Sequence, residues 1–297
     1  MNYYSLAFVK ILNGESDAHE ELVRRKSAST SFTNNLKIDA GKLFVNILPQ
    51  MHLISNDLYI QSRAIMRYIE QLDKDEQVKL RRKIAILETI DSNKLEGVNL
   101  SVRQAQKSAL LNGYLHPEPK VWQQFSKAED LAKVYQKFIL PNLAPDKKPD
   151  GKLFRNGPVY LVDGKKVIHA PKDNEEDVTK QINEWFKFRN NVSELYLDQL
   201  ITACVSHFYL EYVHPYYDGN GRLGRLILSC DLNNILDPYS SLMLSQAIYD
   251  SPYEYYHEFS ELEKPDNHGE VTLFVKMLFD YISDGQVKLL EMLNEGE

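Results

Sequence analysis

Cysteine is nearly absent from this sequence. Only Cys204 and Cys230 occur, too few for a disulfide framework, and both sit in apolar helical patterns that read as buried thiols of a reducing compartment. No run of about 18 apolar residues is found, so a membrane-spanning helix is not expected. A basic excess is lacking too: 35 Lys and Arg stand against 42 Asp and Glu, a formal net charge of -7. That balance disfavours non-specific attraction to nucleic acid and leaves room only for a local basic patch. The opening MNYYSLAFVKILNGESD has no basic n-region, no apolar stretch of signal length and no cleavage site, so a cytoplasmic location is expected. Internal repeats and low-complexity tracts are missing as well. What is present is ordinary for a soluble globular protein: 297 residues, 43% hydrophobic and 26% charged, enough for one large domain or two modest ones.

Strand signals are as scarce as helix signals are plentiful. Apolar residues recur at three- and four-residue spacing from Leu58 to about Asp73 and from about Gln77 to Leu95, which predicts two helices. Ser101 reads as the N-cap of a short helix to Leu111, with Asn112-Gly113 as its stop. Ser126 opens another helix ending before Pro141, and PNLAPDKKPDG (Pro141 to Gly151) reads as an exposed connector. In GPVYLVDGKKVIHAP, from Gly157 to Pro171, two β-prone runs flank Asp163-Gly164, the strongest hairpin signal in the chain. Asn174 to Phe188 is helical again, and Leu197, Leu200, Ile201, Cys204, Val205 and Phe208 form the stripe of a core helix. Leu223 to Ile235 is apolar nearly all round, an aromatic-rich segment spans Tyr249 to Phe259, and an amphipathic helix runs from about Val271 to Leu293. The segment up to about Gln50 is the least legible, and Ser27 to Asn35 suggests loops. An all-α fold with one hairpin is the economical reading.

The densest chemistry lies in His214-Pro215-Tyr216-Tyr217-Asp218-Gly219-Asn220-Gly221-Arg222-Leu223-Gly224-Arg225. Pro215 disfavours helical geometry at His214 and so ends the core helix there. Gly219-Asn220-Gly221 permits a tight turn that feeds a new helix, and a glycine loop at a helix N-terminus is an anion site. Arg222 and Arg225 are three apart on that helix, so they share a face and can both reach a phosphate chain. Asp218 is a hard oxygen ligand suited to Mg²⁺ between phosphates, and His214 can accept a proton near neutral pH. Taken singly, each element has an ordinary structural explanation. Their joint occurrence suits phosphoryl or nucleotidyl transfer.

This run closely resembles the signature of the Fic family, HPFx[D/E]GNGRxxR, differing only at Tyr216, where phenylalanine is usual and a packing role is understood. Tyrosine should fit if its hydroxyl finds a partner. The helix before the motif and LMLSQAIYDSPYEYY (Leu242 to Tyr256) share the family's look, and the similarity spans roughly Leu80 to Leu262. The resemblance implies a helical core with a hairpin flap at 157–171, following an N-terminal region (1–75, partly helical) and an inhibitory helix (76–100), with the core itself at 101–297. It implies transfer of AMP from ATP to a Tyr, Thr or Ser hydroxyl of a target protein. His214 would be the base and Asp218 would hold Mg²⁺. Gly219, Asn220 and Gly221 would form the anion hole, Arg222 would steady the phosphates, and Arg225 would hold the γ-phosphate. Tyr256 would border the nucleotide, with core packing open for it and for Tyr255. Val159, Tyr160, Leu161 and Val162 of the flap would align the target by strand addition.

Ser92-Asn93-Lys94-Leu95-Glu96-Gly97 matches the family's inhibitory pattern [S/T]xxxE[G/N], which in isolation would be only a capped helix end with a solvated glutamate. The resemblance implies that Glu96 occupies Arg225 and forces ATP into an unproductive pose. Self-modification is expected as a side activity of the transfer, and two alternatives stay open at this point: removal of AMP or transfer of another phosphate-containing group on the same fold, and a non-catalytic nucleotide-binding regulatory module. Homo-oligomerisation is likewise open. A DNA-binding winged helix is not expected, because only about seventy residues follow the motif and most complete the core. His207, two turns before His214, reads as a core histidine rather than a ligand.

Overall fold

The computed structural model describes residues 3–116, 125–163, 166–190 and 198–294. It begins with helices α1 (Leu6–Asn13) and α2 (Glu15–Ser27), followed by strands β1 (Ser31–Ile38) and β2 (Gly41–Asn46). The two strands pair antiparallel, and Val271 N donates to the Phe44 carbonyl (2.9 Å) to tie the sheet to the C-terminal part. The polar stretch Ser27 to Asn35, read as loop from its composition, therefore supplies half of a second hairpin. The reason is visible in the burial: Asn34, Leu36 and Ile38 point inward at alternate positions, and the alternation holds through a register shift between Thr33 and Lys37.

Helices α3 (Pro49–Ile69) and α4 (Lys74–Lys94) follow. A capping box between Asp73 and Glu76 starts α4. Ser101 does cap a helix, but α5 (Val102–Ala105) is a single turn, and a new helix α6 (Ala109–Leu115) starts from Ser108. Asn112 and Gly113 lie inside α6 rather than ending it. Gly113 is there for clearance, since a Cβ would come within 2.9 Å of Leu226 Cδ2 and 3.3 Å of Phe138 Cγ. Helix α7 (Ala128–Phe138) ends before the proline-rich connector, which forms only two short 3₁₀ turns.

Strands β3 (Leu161–Asp163) and β4 (Lys166–His169) pair antiparallel within the expected hairpin; its turn residue Gly164 and the stripe residue Leu197 lie outside the described residues. The remaining helices are α8 (Glu175–Asn190), α9 (Gln199–Val213), α10 (Asn220–Ile235), α11 (Leu244–Asp250), α12 (Pro252–Leu262) and α13 (Thr272–Asn294). The chain is thus mainly helical, as expected. Helix α9 is buried on nearly every face, packed between α8 and α10, while α4 and α6 cover α10. Cys204 and Cys230 are free, buried thiols on these two central helices. The end of α4 is brought against the start of α10, and this is what assembles the site. No described helix is long and apolar enough to cross a membrane.

Candidate active site

The loop between α9 and α10 is held from several sides. Helix α9 stops at Val213 because His214 adopts the left-handed conformation (φ 48°, ψ 63°), a strained state for a non-glycine residue. The Asn220 side chain then closes the loop by accepting from Tyr216 N (3.0 Å) and donating to the Tyr216 carbonyl (2.8 Å). The Tyr135 hydroxyl donates to the Asp218 carbonyl at 3.0 Å. Gly219, at φ 84°, is the left-handed residue from which α10 starts. Tyr216 is fully buried, stacked on Tyr135 at 3.5 Å between centroids and edge-on to Phe154. Its hydroxyl has no hydrogen-bond partner among the described residues, so the position is served by the ring alone.

The first turn of α10 presents amide donors with no intrahelical acceptor, and a carboxylate already lies over it. A Cβ on Gly221 would sit 2.2 Å from Glu96 Oε1. Arg225 is 1% exposed and donates from Nη2 to Glu96 Oε1 (2.7 Å) and to the Ser92 carbonyl (2.8 Å), and from Nε to Ser92 Oγ (3.1 Å). Arg222 donates to Asp218 Oδ1 (2.7 Å) and reaches Asn93 Oδ1 at 3.4 Å. Gly97 has φ 74° and lets the chain turn away just after Glu96. Burial alone would raise the Glu96 pKa, but the charge and hydrogen bond of Arg225, with Arg222 and His214 beyond, hold it below the usual carboxylate range.

Burial pushes the His214 imidazole down to about 4, helped by neighbouring His169, so the ring is neutral at pH 7. Its Nδ1 faces the Glu211 carbonyl at 3.3 Å. A carbonyl only accepts, so this contact places the hydrogen on Nδ1 and leaves the Nε2 lone pair free to take a proton.

Beneath the loop lie groups that sequence reasoning passed over. Glu211 is pushed up to about 8 by burial, partly offset by Arg225, and Glu88 to about 7 by burial against two hydrogen bonds from Ser245. A lone carboxylate in the apolar run 200–213 was the available signal for Glu211. Arg155 is wholly buried, and His169 on β4 meets both the Tyr212 carbonyl and Glu263; neither carries a pattern signal. His207 is a core residue, 2.7 Å from the Tyr255 hydroxyl and pushed down to about 3 by burial. Tyr256 is half exposed at the rim and donates to the Leu95 carbonyl (3.1 Å), next to Glu96. Of the flap residues, Val159 and Tyr160 precede the strand, Tyr160 being 59% exposed, while Leu161 pairs with His169 and Val162 lies in β3. Among the described residues there is no cluster of three or more acidic, histidine or cysteine side chains able to hold a metal by itself.

The family model described as Fic/DOC matches residues 125–230, from before α7 to the middle of α10 and including the whole loop. The chain carries a Fic/DOC domain. A protein adenylyltransferase Fic of Nematostella vectensis is 27% identical over 125 residues, 42% of this chain and 26% of that protein. The protein adenylyltransferase fic-1 of Caenorhabditis briggsae is 33% identical over 101 residues, 34% of this chain and 18% of its own length. The matches thus span about a quarter or less of those relatives. Among solved structures, a Fic family protein from Desulfovibrio desulfuricans G20 superposes with a TM-score of 0.60 at 21% identity, over 83% of this chain and 75% of that one. Fic-1 from C. elegans superposes at 0.55 with 16% identity, over 98% and 82%. At such identities the structures share the fold, and α1–α4 with the first hairpin lie outside the matched Fic/DOC segment.

Proposed function

We propose that the chain transfers AMP from ATP to a Tyr, Thr or Ser hydroxyl of a target protein, and that Glu96 restrains the transfer. One observation carries this reading most directly: the Glu96 carboxylate sits over the first turn of α10 and pairs with Arg225 at 2.7 Å, where the donors suit a phosphate. The names of the sequence relatives support adenylyl transfer as the reaction class.

In the reaction, the target hydroxyl oxygen attacks the α-phosphorus in line. The bond from that phosphorus to the bridging oxygen breaks, pyrophosphate leaves, and the hydroxyl proton passes to His214 Nε2. Amide donors of Gly219, Asn220 and Gly221 stabilise charge on the α-phosphate, and the second amide hydrogen of Asn220 is left for a phosphate oxygen. Arg222 and Arg225 take the outer phosphates. A single carboxylate, Asp218, suits Mg²⁺, which keeps water and substrate phosphates as its other ligands; bound there it would neutralise phosphate charge. Tyr256 borders the nucleotide, and the β3–β4 hairpin, with Val159 to Val162, is the edge on which a target strand docks.

Glu96 competes with the γ-phosphate for Arg225. A charge-assisted pair of this kind is worth about 1.5–3 kcal/mol, enough to slow transfer about 10-fold or more. On this reading residues 76–100 are an N-terminal inhibitory helix region, in which α4 ends at Lys94 and Glu96, in the turn just beyond it, is the brake. A second reading is favoured by the same carboxylate over the first turn of α10: there it would orient water for removal of AMP. Intact mass after incubation with Mg²⁺ and ATP tests the main reading. A gain of one AMP supports it, a different added group reassigns the donor, and loss of AMP from a modified substrate supports the second.

A further inference from the structure

The end of a helix leaves carbonyls without intrahelical partners, and at the end of α9 these belong to the residues around His214. The Tyr212 carbonyl meets His169 Nε2 at 2.7 Å. Arg155 Nη2 donates to the Val213 carbonyl at 3.4 Å, Arg155 Nε to the His214 carbonyl at 2.8 Å, and the Arg155 backbone N–H to the Pro215 carbonyl at 3.1 Å. Four successive carbonyls are therefore taken by two residues that flank one hairpin, Arg155 just before β3 and His169 at the end of β4. A further Arg155 donor, Nη1, holds the Gly157 carbonyl at 2.8 Å, where the chain sets out toward the hairpin.

Arg155 is 0% exposed, and its side chain makes no ion pair among the described residues; burial lowers its pKa. What it gains in exchange is a rigid fork of donors matched to consecutive carbonyls, at the helix end where the dipole favours a cation. The residue so held is also the strained one, His214 with φ 48°.

We propose that Arg155 is a positioning residue for the base: with His169 it caps the C-terminus of α9 and so couples the orientation of His214 to the stem of the β3–β4 hairpin. This rests on His214 acting as base in the transfer proposed above. Arg155 touches neither the anion cradle nor Arg225. Its loss is therefore expected to slow the chemical step while leaving nucleotide affinity in place.

The test compares Glu96→Gly with Glu96→Gly/Arg155→Ala and Glu96→Gly/Arg155→Lys. Protein-bound label from α-labelled ATP is followed at saturating and subsaturating ATP with Mg²⁺, and ATP affinity is measured by calorimetry. Arg155→Ala is expected to lower the saturating rate on the order of 100-fold, the scale of an ångström-sized misplacement, with ATP affinity within about twofold of the parent. Arg155→Lys, which keeps the cation but not the fork, is expected to recover part of the rate. A saturating rate in Arg155→Ala equal to the parent's, or a loss seen wholly as weaker ATP binding, overturns the proposal. If Arg155→Ala does not fold, Arg155→Lys alone decides: a rate lower on the order of tenfold with ATP affinity kept is expected, and an unchanged rate contradicts. If the Glu96→Gly parent takes no label, the transfer reading has failed instead. The positioning claim is then read from the His214 ring nitrogens by ¹⁵N NMR, which should lose the Nδ1–H tautomer in Arg155→Ala and would refute the claim by keeping it.

Discussion

Glu96 and Arg225, 129 positions apart in the chain, meet at 2.7 Å with the arginine fully enclosed. The guanidinium has no other carboxylate within ion-pairing distance among the described residues; its other hydrogen bonds are to Ser92. On the proposed reading this contact occupies donors that a phosphate would take, so it links stability and nucleotide binding in opposite directions.

The first prediction follows from that linkage. Glu96→Gly removes a charge-assisted hydrogen bond from a buried cation and should cost about 2 kcal/mol of stability. ATP then gains access to Arg225, and a ligand at 100 times its Kd returns about 2.7 kcal/mol. Thermal melts with and without ATP and Mg²⁺ should show a larger ATP-dependent rise in Tm for Glu96→Gly than for wild type. Equal shifts would mean that Glu96 does not compete for the nucleotide site.

Stability should bend with pH, and two of the buried groups that contribute, His207 and Glu211, do so with opposite sign. His207 has its pKa pushed down to about 3 from the ordinary 6.5, so between those values the unfolded chain binds the proton more readily. Its contribution is present above pH 6.5 and is lost as pH falls toward 3. Glu211, pushed up to about 8 from 4.5, has the opposite sign: its contribution is complete below 4.5 and is lost as pH rises through 8. Urea unfolding across this range should show a flatter acid limb in His207→Gln and a flatter alkaline limb in Glu211→Gln.

Tyr216 offers a stabilising change. Its ring stacks on Tyr135, but its buried hydroxyl has no partner among the described residues. Leaving such a group unpaired costs about 1–3 kcal/mol, so Tyr216→Phe should raise the denaturation midpoint without changing the urea m-value. A drop in the midpoint would reveal a hydrogen bond to the hydroxyl.

Much of this arrangement is legible in the sequence, for identifiable reasons. The anion loop is local: Pro215 ends one helix, Gly219 turns the chain and Arg222 and Arg225 follow on one face, all within twelve residues. The end of α4 is legible as a capped stop at Gly97, whose φ of 74° explains the glycine. Non-local features are not. Gly113 looks like a helix stop until Leu226 and Phe138 are seen pressing against it inside α6. The β1–β2 hairpin hides in a polar stretch, and Phe44 of β2 is tied by backbone hydrogen bonds to residues 269–271, far along the chain. Arg155 and His169 act on backbone carbonyls, which every residue has, so no pattern of side chains announces them.

The most direct test of the central claim is labelling with α-labelled ATP and Mg²⁺ in wild type, Glu96→Gly and Glu96→Gly/His214→Ala, with intact mass read alongside. One added AMP is expected in Glu96→Gly, at least about 10-fold less in wild type, and none in the double variant. Equal labelling of wild type and Glu96→Gly, or undiminished labelling without His214, would contradict it.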